Sequence, residues 1–431
     1  MSGRIGVIGL SHLGSVASSC LASLGLDVTA IDDPARAGAL AARRLPTHDP
    51  GLEDLLARDA PTFTADYAAL KSCDVIIVAL DTVTDAQNRS DLAVLDGYLD
   101  RAVPWLPDDG VVVLMSQVPV GYTRALGARL RTRRPELRTR LYYWVETLVI
   151  GEAVSRYLEP ERIIIGGDDW RPGVPAAAEP ALDGLLARFG CPVFRMNYES
   201  AELCKAAINF YLAASVTYGN TLADLCEATG ASMRALIPAL RSDRRIGPGA
   251  YIRPGLGIAG GNLERDLVHL SELARERGVD APLLPLILER SAQRYGWLLR
   301  ALERFVLKPG PPPRLAVWGL AYKKNSRSTK NSVSLRLLGD LAGRATVTAY
   351  DPQVTLPAPT PGVATAATAL DAARGADALV ILTDWDEFAA VDPGAIRAAL
   401  RSPVVLDAVG VLDPVRTRDA GLTYVAIGEA P

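Results

Sequence analysis

Apolar positions along this chain come in short unbroken runs rather than in strict alternation. Arg4–Leu10 (RIGVIGL), Asp74–Leu80 (DVIIVAL), Val112–Met115 and Arg162–Gly166 (RIIIG) are such runs. A strand buried on both faces of a parallel sheet reads this way, because neither face is left for polar residues. A second series follows the proline-rich segment KPGPPPR, Lys308–Arg314: RLAVWGL, ATVTAYDP, ADALVILTDW and PVVLDAVG. The pattern predicts strands alternating with helices twice over, with KPGPPPR as the linker before the second series.

Between the two series the period changes. Tyr198–Gly230 has no proline, its only internal glycine is Gly219, and Ala, Leu, Glu and Lys dominate. That predicts one long helix, apolar on more than one face and therefore packed between other elements. Lys205 and Asn209 stand four residues apart on it, hence on one face. Either Lys205 snorkels to solvent while Asn209 ties down a loop, or it is a catalytic lysine with an amide partner. Next comes Gly247–Gly261, with six glycines and two prolines. Such a stretch is no regular element, yet Tyr251, Ile252, Leu256 and Ile258 are interleaved as they are not in a solvated linker. It predicts a loop with apolar anchors whose backbone can approach a ligand closely. A further helical region runs from about Glu264 to Phe305, broken near Gly278 and Pro282.

Candidate chemistry starts where the first run ends. GLSHLG, Gly9–Gly14, opens into SVASSCLASLG, and the next strand, LDVTAIDD, closes on Asp32 and Asp33. Strand, glycine turn, helix, strand and terminal acid, with the acid about twenty residues on, make up a dinucleotide-binding fingerprint. Gly9 makes the tight turn, the helix N-terminus through Ser11, His12, Leu13 and Gly14 offers N–H groups to a pyrophosphate, and Asp32 accepts from ribose hydroxyls. Ser11 replaces the second glycine of the fingerprint. The acid at the strand end disfavours a 2′-phosphate, so NAD is expected over NADP. SQVPVGYT, Ser116–Thr123, begins a helix, and Trp144–Val154 follows a strand. Ligands of such sheets bind at the strand ends, which puts Thr82, Ser116, Gln117 and Glu146 near the cofactor. The expected fold is α/β: two doubly wound Rossmann-like domains, residues 1–197 and 308–431, joined by a long central helical domain, residues 198–307.

Composition narrows the classes. At 431 residues, 49% hydrophobic and 22% charged, the chain has material for several cored domains. A net charge of −3 gives no electrostatic case for nucleic acid or for an anionic membrane. No run reaches the ~18 apolar residues of a membrane span. Five scattered cysteines without a CxxC suit a reducing compartment, and His12, His48 and His269 make no metal-ligand spacing. A soluble, cytoplasmic protein without a metal is the expectation.

THDPGLEDLL, SQVPVGYT, EPERIIIG, the Lys205/Asn209 helix, RIGPGAYIRPGLGIAGG, WGLAYKKNS, AYDP and ALVILTDWDEF stand in one order along the chain. With these words the chain resembles the UDP-glucose/GDP-mannose dehydrogenase family over nearly its whole length. The resemblance implies an N-terminal NAD domain, a central helical domain that forms a homodimer, and a C-terminal domain that grips a nucleotide sugar. Family members oxidise a sugar C6 alcohol twice, to the carboxylate, with two NAD. Lys205 and Asn209 fall on the family's lysine and asparagine, Asp266 on the aspartate ending its glycine-rich motif, and Glu146 on the first glutamate of its NPEFL-type motif. The resemblance also puts Arg245, Tyr251, Gly257, Gly260, Lys323 and Lys330 on the substrate.

The departures matter as much. Where the family has GGSCxPKD this chain has AGGNLERD, which places Asn262 at the nucleophilic cysteine. Gln117 stands for the threonine before VPVG, Ile150 for a second glutamate, Arg265 for a lysine, and Lys330 for a nucleotide-binding arginine. Lys205 as base, with Asn209 and Asp266 orienting it, serves the first hydride transfer. The second oxidation needs a thiohemiacetal on a thiolate, and an amide is not nucleophilic. The expectation is therefore one two-electron oxidation of a nucleotide-hexose. The alternatives are a four-electron reaction through the aldehyde hydrate, a non-redox nucleotide-sugar-binding protein, or an epimerase-like enzyme that uses held NAD transiently.

Overall fold

A computed structural model describes residues 3–45, 49–85, 87–168, 170–171, 178–259, 261–356 and 360–429. The chain divides into two compact units, Met1–Ile208 and Asn209–Pro431. His48 and Gly260 lie outside the described residues.

The first unit is built on ten strands. β1 (Arg4–Ile8), β2 (Asp27–Ile31), β3 (Thr62–Thr64) and β4 (Val75–Val78) come first, then a short antiparallel ribbon of β5 (Val83–Thr84) and β6 (Ser90–Asp91). β7 (Val111–Leu114), β8 (Arg140–Trp144), β9 (Ile163–Gly167) and β10 (Val193–Asn197) complete it. The sheet order is β10-β9-β8-β7-β4-β1-β2-β3. All neighbours pair in parallel except β8 and β9, so β9 and β10 run against the other six. This departs from the parallel sheet that the apolar runs predict. The link between β8 and β9 carries only a six-residue helix, Ala153–Leu158, and returns the chain without a right-handed crossover to a parallel neighbour.

The unbroken apolar runs have a direct cause. Alternate residues of one strand point to opposite faces, and here both faces are covered. Ile5, Val7, Ile77 and Val113 enter one core, while Ile8, Ile76, Val78 and Val112 enter the other. The helix His12–Ser23 closes the first core with Leu13, Val16, Ala17, Cys20 and Leu21. Burial of side chains of this size is worth about 1.5–3 kcal/mol each for the leucines and valines.

The helix predicted from Tyr198 spans Tyr198–Thr229, and Gly230, at φ +78°, ends it. Helices Met233–Ser242, Asn262–Glu276 and Leu283–Phe305 follow. The second unit's sheet holds β11 (Arg314–Trp318), β12 (Thr346–Tyr350), β13 (Val363–Thr365), β14 (Ala378–Ile381), β15 (Val404–Asp407) and β16 (Thr423–Ala426). Its order is β13-β12-β11-β14-β15-β16, parallel throughout. Ala223, Cys226, Tyr295, Trp297 and Leu298 share a core with Leu315 and Val317, so the helices after Asn209 and this sheet pack as one body. In each sheet the strand order turns around beside its first strand, between β1 and β4 and between β11 and β14, where a crevice opens at the strand ends.

Candidate active site

The first unit's crevice is lined as the glycine turn predicts. Gly9 sits at φ +94°, and a Cβ on it would meet the Leu80 side chain at 2.4 Å. A Cβ on Gly14 would stand 1.8 Å from the Gly9 carbonyl oxygen, so only glycine lets the helix start this close to the strand. Ser11 uses its hydroxyl sideways, accepting from the Asp81 N–H at 2.9 Å, instead of capping its own helix. The first helical turn carries no acidic residue, and the Leu13 N–H already donates to a carboxylate, Asp81 Oδ2, at 3.3 Å. A helix terminus that accepts an oxyanion and a turn too tight for any Cβ fit a dinucleotide pyrophosphate.

Asp32 is buried and accepts from the Leu10 N–H at 2.5 Å, from the Asp33 N–H at 2.6 Å and from the Tyr98 hydroxyl. Burial, and then the bond to Asp32, push the Tyr98 hydroxyl up to about 12, so it donates at neutral pH. Ser116 accepts from the Leu80 N–H at 2.8 Å, and Thr82 Oγ1 donates to the Gln117 carbonyl at 2.5 Å. The ends of β4 and β7 are thus knitted beside the glycine turn, with Ser116, Gln117 and Thr82 gathered there.

His12 Nε2 lies 3.1 Å from Asp49 Oδ2. Asp49 is itself buried and accepts from the N–H groups of Gly151 and Ala153 at 2.9 and 3.0 Å. One carboxylate thereby ties the start of the helix His12–Ser23 to the loop after β8. That loop carries Glu146, whose Oε2 lies 3.6 Å from Lys205 Nζ and whose Oε1 accepts from the Leu148 N–H. Both side chains are largely buried. One turn before Lys205, Glu202 is buried and accepts from the N–H groups of Gly121 and Thr123 at 2.5 and 2.8 Å, and burial pushes its carboxyl up. Glu202 so anchors the first turns of the central helix to the start of Tyr122–Arg133. That helix begins six residues after Ser116, because Pro119 and the left-handed Gly121 delay it.

In the second unit, Asn209 Nδ2 donates to Asp266 Oδ2, and Arg265 Nε donates to Asp266 Oδ1 at 3.3 Å, all three buried. Asn262 is exposed and opens the helix Asn262–Glu276, with Gly261 at φ +94° as its cap. The stem of Lys330 crosses Gly261, so that a Cβ there would meet Lys330 Cε at 3.0 Å. Beside it, Asn331 Nδ2 donates to Glu264 Oε2 at 2.5 Å, and burial pushes the Glu264 carboxyl up. Gly257, at φ +101°, packs on Ser291. Tyr251 is exposed, and burial, with a smaller contribution from Tyr251, pushes the Tyr322 hydroxyl up to about 12. Lys323 Nζ lies 5.8 Å from the centre of the Tyr322 ring. Arg245 is placed differently: its side chain is 89% exposed and closes on nearby Asp243 at 2.7 Å.

Asp49 stands in THDPGLEDLL and Glu202 on the Lys205 helix, but neither is singled out by its motif, and Tyr98 belongs to none. Glu202 had a signal, a second charge in a helix too apolar to leave it in water. Tyr98 had none, and the word around Asp49 does not show its partners, since Tyr98 meets Asp32 66 residues away and Asp49 meets residues 37 or more away. No cluster of His, Cys, Asp and Glu able to hold a metal occurs among the described residues. No described helix is long and apolar enough to cross a membrane.

Comparison with known proteins gives this geometry its context. The chain matches the UDP-glucose/GDP-mannose dehydrogenase family's NAD binding domain over residues 3–178, its central domain over 199–291 and its UDP binding domain over 316–414. A UDP-glucose 6-dehydrogenase of Pseudomonas aeruginosa is 30% identical over 451 residues, covering 99% of this chain and 97% of that protein. Among solved structures, a UDP-glucose dehydrogenase from Pyrobaculum islandicum superposes with a TM-score of 0.86 at 24% identity, covering 100% of this chain and 98% of that one. A UDP-D-ManNAc dehydrogenase from Pyrococcus horikoshii gives 0.83 at 24% identity, over 99% of both chains. With a glycine turn closed to any Cβ in the first unit and all three family domains matched in order, the chain belongs to the UDP-glucose/GDP-mannose dehydrogenase family and is an NAD-dependent oxidoreductase acting on a nucleotide sugar.

Proposed function

We propose that the chain oxidises the C6 alcohol of a nucleotide-hexose to the aldehyde in one two-electron step, with Lys205 as base and UDP-glucose as the first substrate to try. The observation that carries this reading is Asn262, an amide at the head of the helix where the family keeps a thiol. No other thiol takes its place in the second unit: Cys226 is the sole cysteine after Asn209, and it is buried with its thiol pushed up by that burial. In the first unit burial raises Cys20 to about 12 and Cys73 to about 11.

NAD, when bound, supplies the acceptor for the C6 hydride. The chain's own groups do the rest. The hydroxyl proton passes to Lys205 Nζ as the C–O bond becomes a carbonyl and hydrogen leaves C6 with its electron pair. Glu146, 3.6 Å from that Nζ, is the next acceptor along. Asn209, one turn further along the same helix, is held by Asp266 and so keeps its amide in a single orientation. Gly9, Ser11, Leu13, Gly14 and Asp32 would hold the cofactor. Tyr251, Gly257, Lys323 and Lys330 would hold the nucleotide sugar.

The test is the product. Unaltered protein given UDP-glucose and NAD should form one NADH per sugar, with an aldehyde that hydroxylamine traps as its oxime, read by mass spectrometry. Carboxylate formed with two NADH, at the rate of the first step, sinks the reading in favour of the hydrate route. UDP-N-acetylmannosamine is the second substrate to try, because the Pyrococcus horikoshii relative is named for it. Asn262→Cys should move part of the product to carboxylate.

Assembly follows from the central helix. Tyr211, Tyr218 and Leu225 recur every seven residues and are 64%, 47% and 56% exposed. A stripe of that kind along one helix fits a second copy of this chain. A homodimer is expected, and a monomer by light scattering at micromolar concentration would overturn it. The five cysteines are all free, which suits the cytoplasm; cell fractionation checks this.

A further inference from the structure

We propose that Arg294, Asn220 and Ser291 are positioning residues that hold the glycine-rich loop, residues 250–258, in the one register that presents Tyr251 and the Gly257 backbone to the nucleotide sugar. This rests on the reading that the loop binds that substrate. Ser291 and Arg294 belong to no motif word of the sequence, and Asn220 lies on the Lys205/Asn209 helix without being singled out there. Each projects from a helix flanking the loop: Asn220 from Tyr198–Thr229, Ser291 and Arg294 from Leu283–Phe305.

A stretch without helix or strand must still satisfy its buried backbone N–H and C=O groups. Here side chains do so at successive points. The Gly255 N–H donates to Asn220 Oδ1 at 2.8 Å, and its carbonyl accepts from Arg294 Nε at 3.3 Å. The Ile258 N–H donates to Ser291 Oγ at 2.7 Å. The Ala250 carbonyl accepts from Arg241 Nε and Nη2 at 3.2 and 3.0 Å. Two glycines let the backbones close up. A Cβ on Gly219 would be 2.4 Å from the Ile252 oxygen, and one on Gly257 would be 2.6 Å from the Ser291 oxygen. Both ends of a single peptide residue, Gly255, are therefore held by side chains from two different helices.

Arg294 is what makes this more than packing. Its guanidinium is buried, paired with Asp224 through Nη1, and its Nη2 has no partner among the described residues. A buried guanidinium with an idle donor is a poorer choice for stability than an apolar side chain of similar volume, and apolar neighbours Leu298 and Tyr295 are at hand on the same helix. What arginine adds, and methionine does not, is a fixed direction for the Gly255 carbonyl. A slip of the loop by one residue would carry Tyr251, Gly257 and Gly261 away from their places together. Lys330, whose stem lies on Gly261, would lose its seat as well.

The test compares Arg294→Met, Asn220→Leu and Ser291→Ala with the unaltered full-length protein. UDP-glucose and NAD are the probes, at a temperature well below each variant's Tm. Arg294→Met and Asn220→Leu should lose on the order of 10²-fold in kcat/KM for UDP-glucose, as displacement of a substrate-holding segment does. Their Kd for NAD, by calorimetry, should stay within about twofold, since the glycine turn is in the other unit. Asn220→Asp, which keeps the acceptor for the Gly255 N–H, should recover most of the loss. A merely structural role would lower Tm and leave KM alone. If Arg294→Met does not fold, Ser291→Ala decides, with a KM for UDP-glucose raised by about tenfold. Folded variants with unaltered kcat/KM overturn this inference while leaving the function standing. An unaltered protein that turns over neither UDP-glucose nor UDP-N-acetylmannosamine overturns both.

Discussion

The first strands of the two units end in nearly the same device. β1 runs into Gly9 at φ +94° and β11 into Gly319 at φ +95°. Each glycine donates its N–H to the end of the neighbouring strand, to Ile31 O at 2.9 Å and to Tyr350 O at 2.8 Å. Each is followed by a leucine whose N–H donates to a buried aspartate after the second strand: Leu10 to Asp32 at 2.5 Å, Leu320 to Asp351 at 2.7 Å. Each aspartate has an aromatic donor, the Tyr98 hydroxyl on Asp32 and Trp385 Nε1 on Asp351 at 3.1 Å. A Cβ on either glycine would collide at 2.4 Å, with Leu80 or with Thr383.

They part company immediately afterwards. In the first unit the helix starts at His12, and Gly14 seats it against the turn. In the second the helix does not start until Val333, and AYKKNSRSTKNS fills the gap. Its ends are pinned by Thr383 Oγ1 on the Ala321 carbonyl and Ser332 Oγ on the Leu320 carbonyl, both at 2.7 Å. One frame thus leads into two different continuations, and the proposed function makes each an anion site. Where a helix follows at once, backbone N–H groups and the helix dipole meet the phosphate. Where a loop intervenes, the proposed function gives that task to side-chain cations, Lys323 and Lys330.

The sharpest cut through this comparison leaves both binding devices intact. Lys205→Ala should lower kcat by roughly 10²–10⁴-fold while NAD and UDP-glucose still bind, as for loss of a general base. Near-full turnover in that variant would return Lys205 to a purely structural role. The next cut is through the second unit alone. Lys330→Ala should weaken UDP-glucose binding by roughly 10- to 100-fold, the worth of a charge-assisted hydrogen bond, with NAD binding unchanged. Equal affinity by calorimetry would mean that the loop's cations do not grip the phosphate. The smallest effect is in the first unit. Asp32→Ala should narrow the preference for NAD over NADP by roughly tenfold. If the unaltered protein already binds the two equally, the acid after β2 does not select the cofactor.

Much of this was legible one segment at a time. The unbroken apolar strands, GLSHLG with its acid, the long helix and the glycine-rich loop are all local statements about φ, period and burial. The reversal of β9 and β10 was not legible, because RIIIG reads alike in either direction. The start of a helix at Asn262 rather than Glu264 depended on the left-handed cap at Gly261. Of the residues placed by resemblance, Asn209 and Asp266 are bonded to each other, Lys330 lies on Gly261, and Arg245 turns to solvent beside Asp243.

By itself the sequence determined the elements, the two sheet-bearing halves and the family, because strand burial, glycine turns and motif words are carried by residues close along the chain. Tertiary structure alone decided which side chains hold the loops. His12 meets Asp49 and, through it, the backbone at Gly151, while Gly255 is held by Asn220 and Arg294. Those partners stand 35 to 102 residues apart. Hydrogen bonds act over about 3 Å, so contacts at such separations exist only once the chain has folded back on itself.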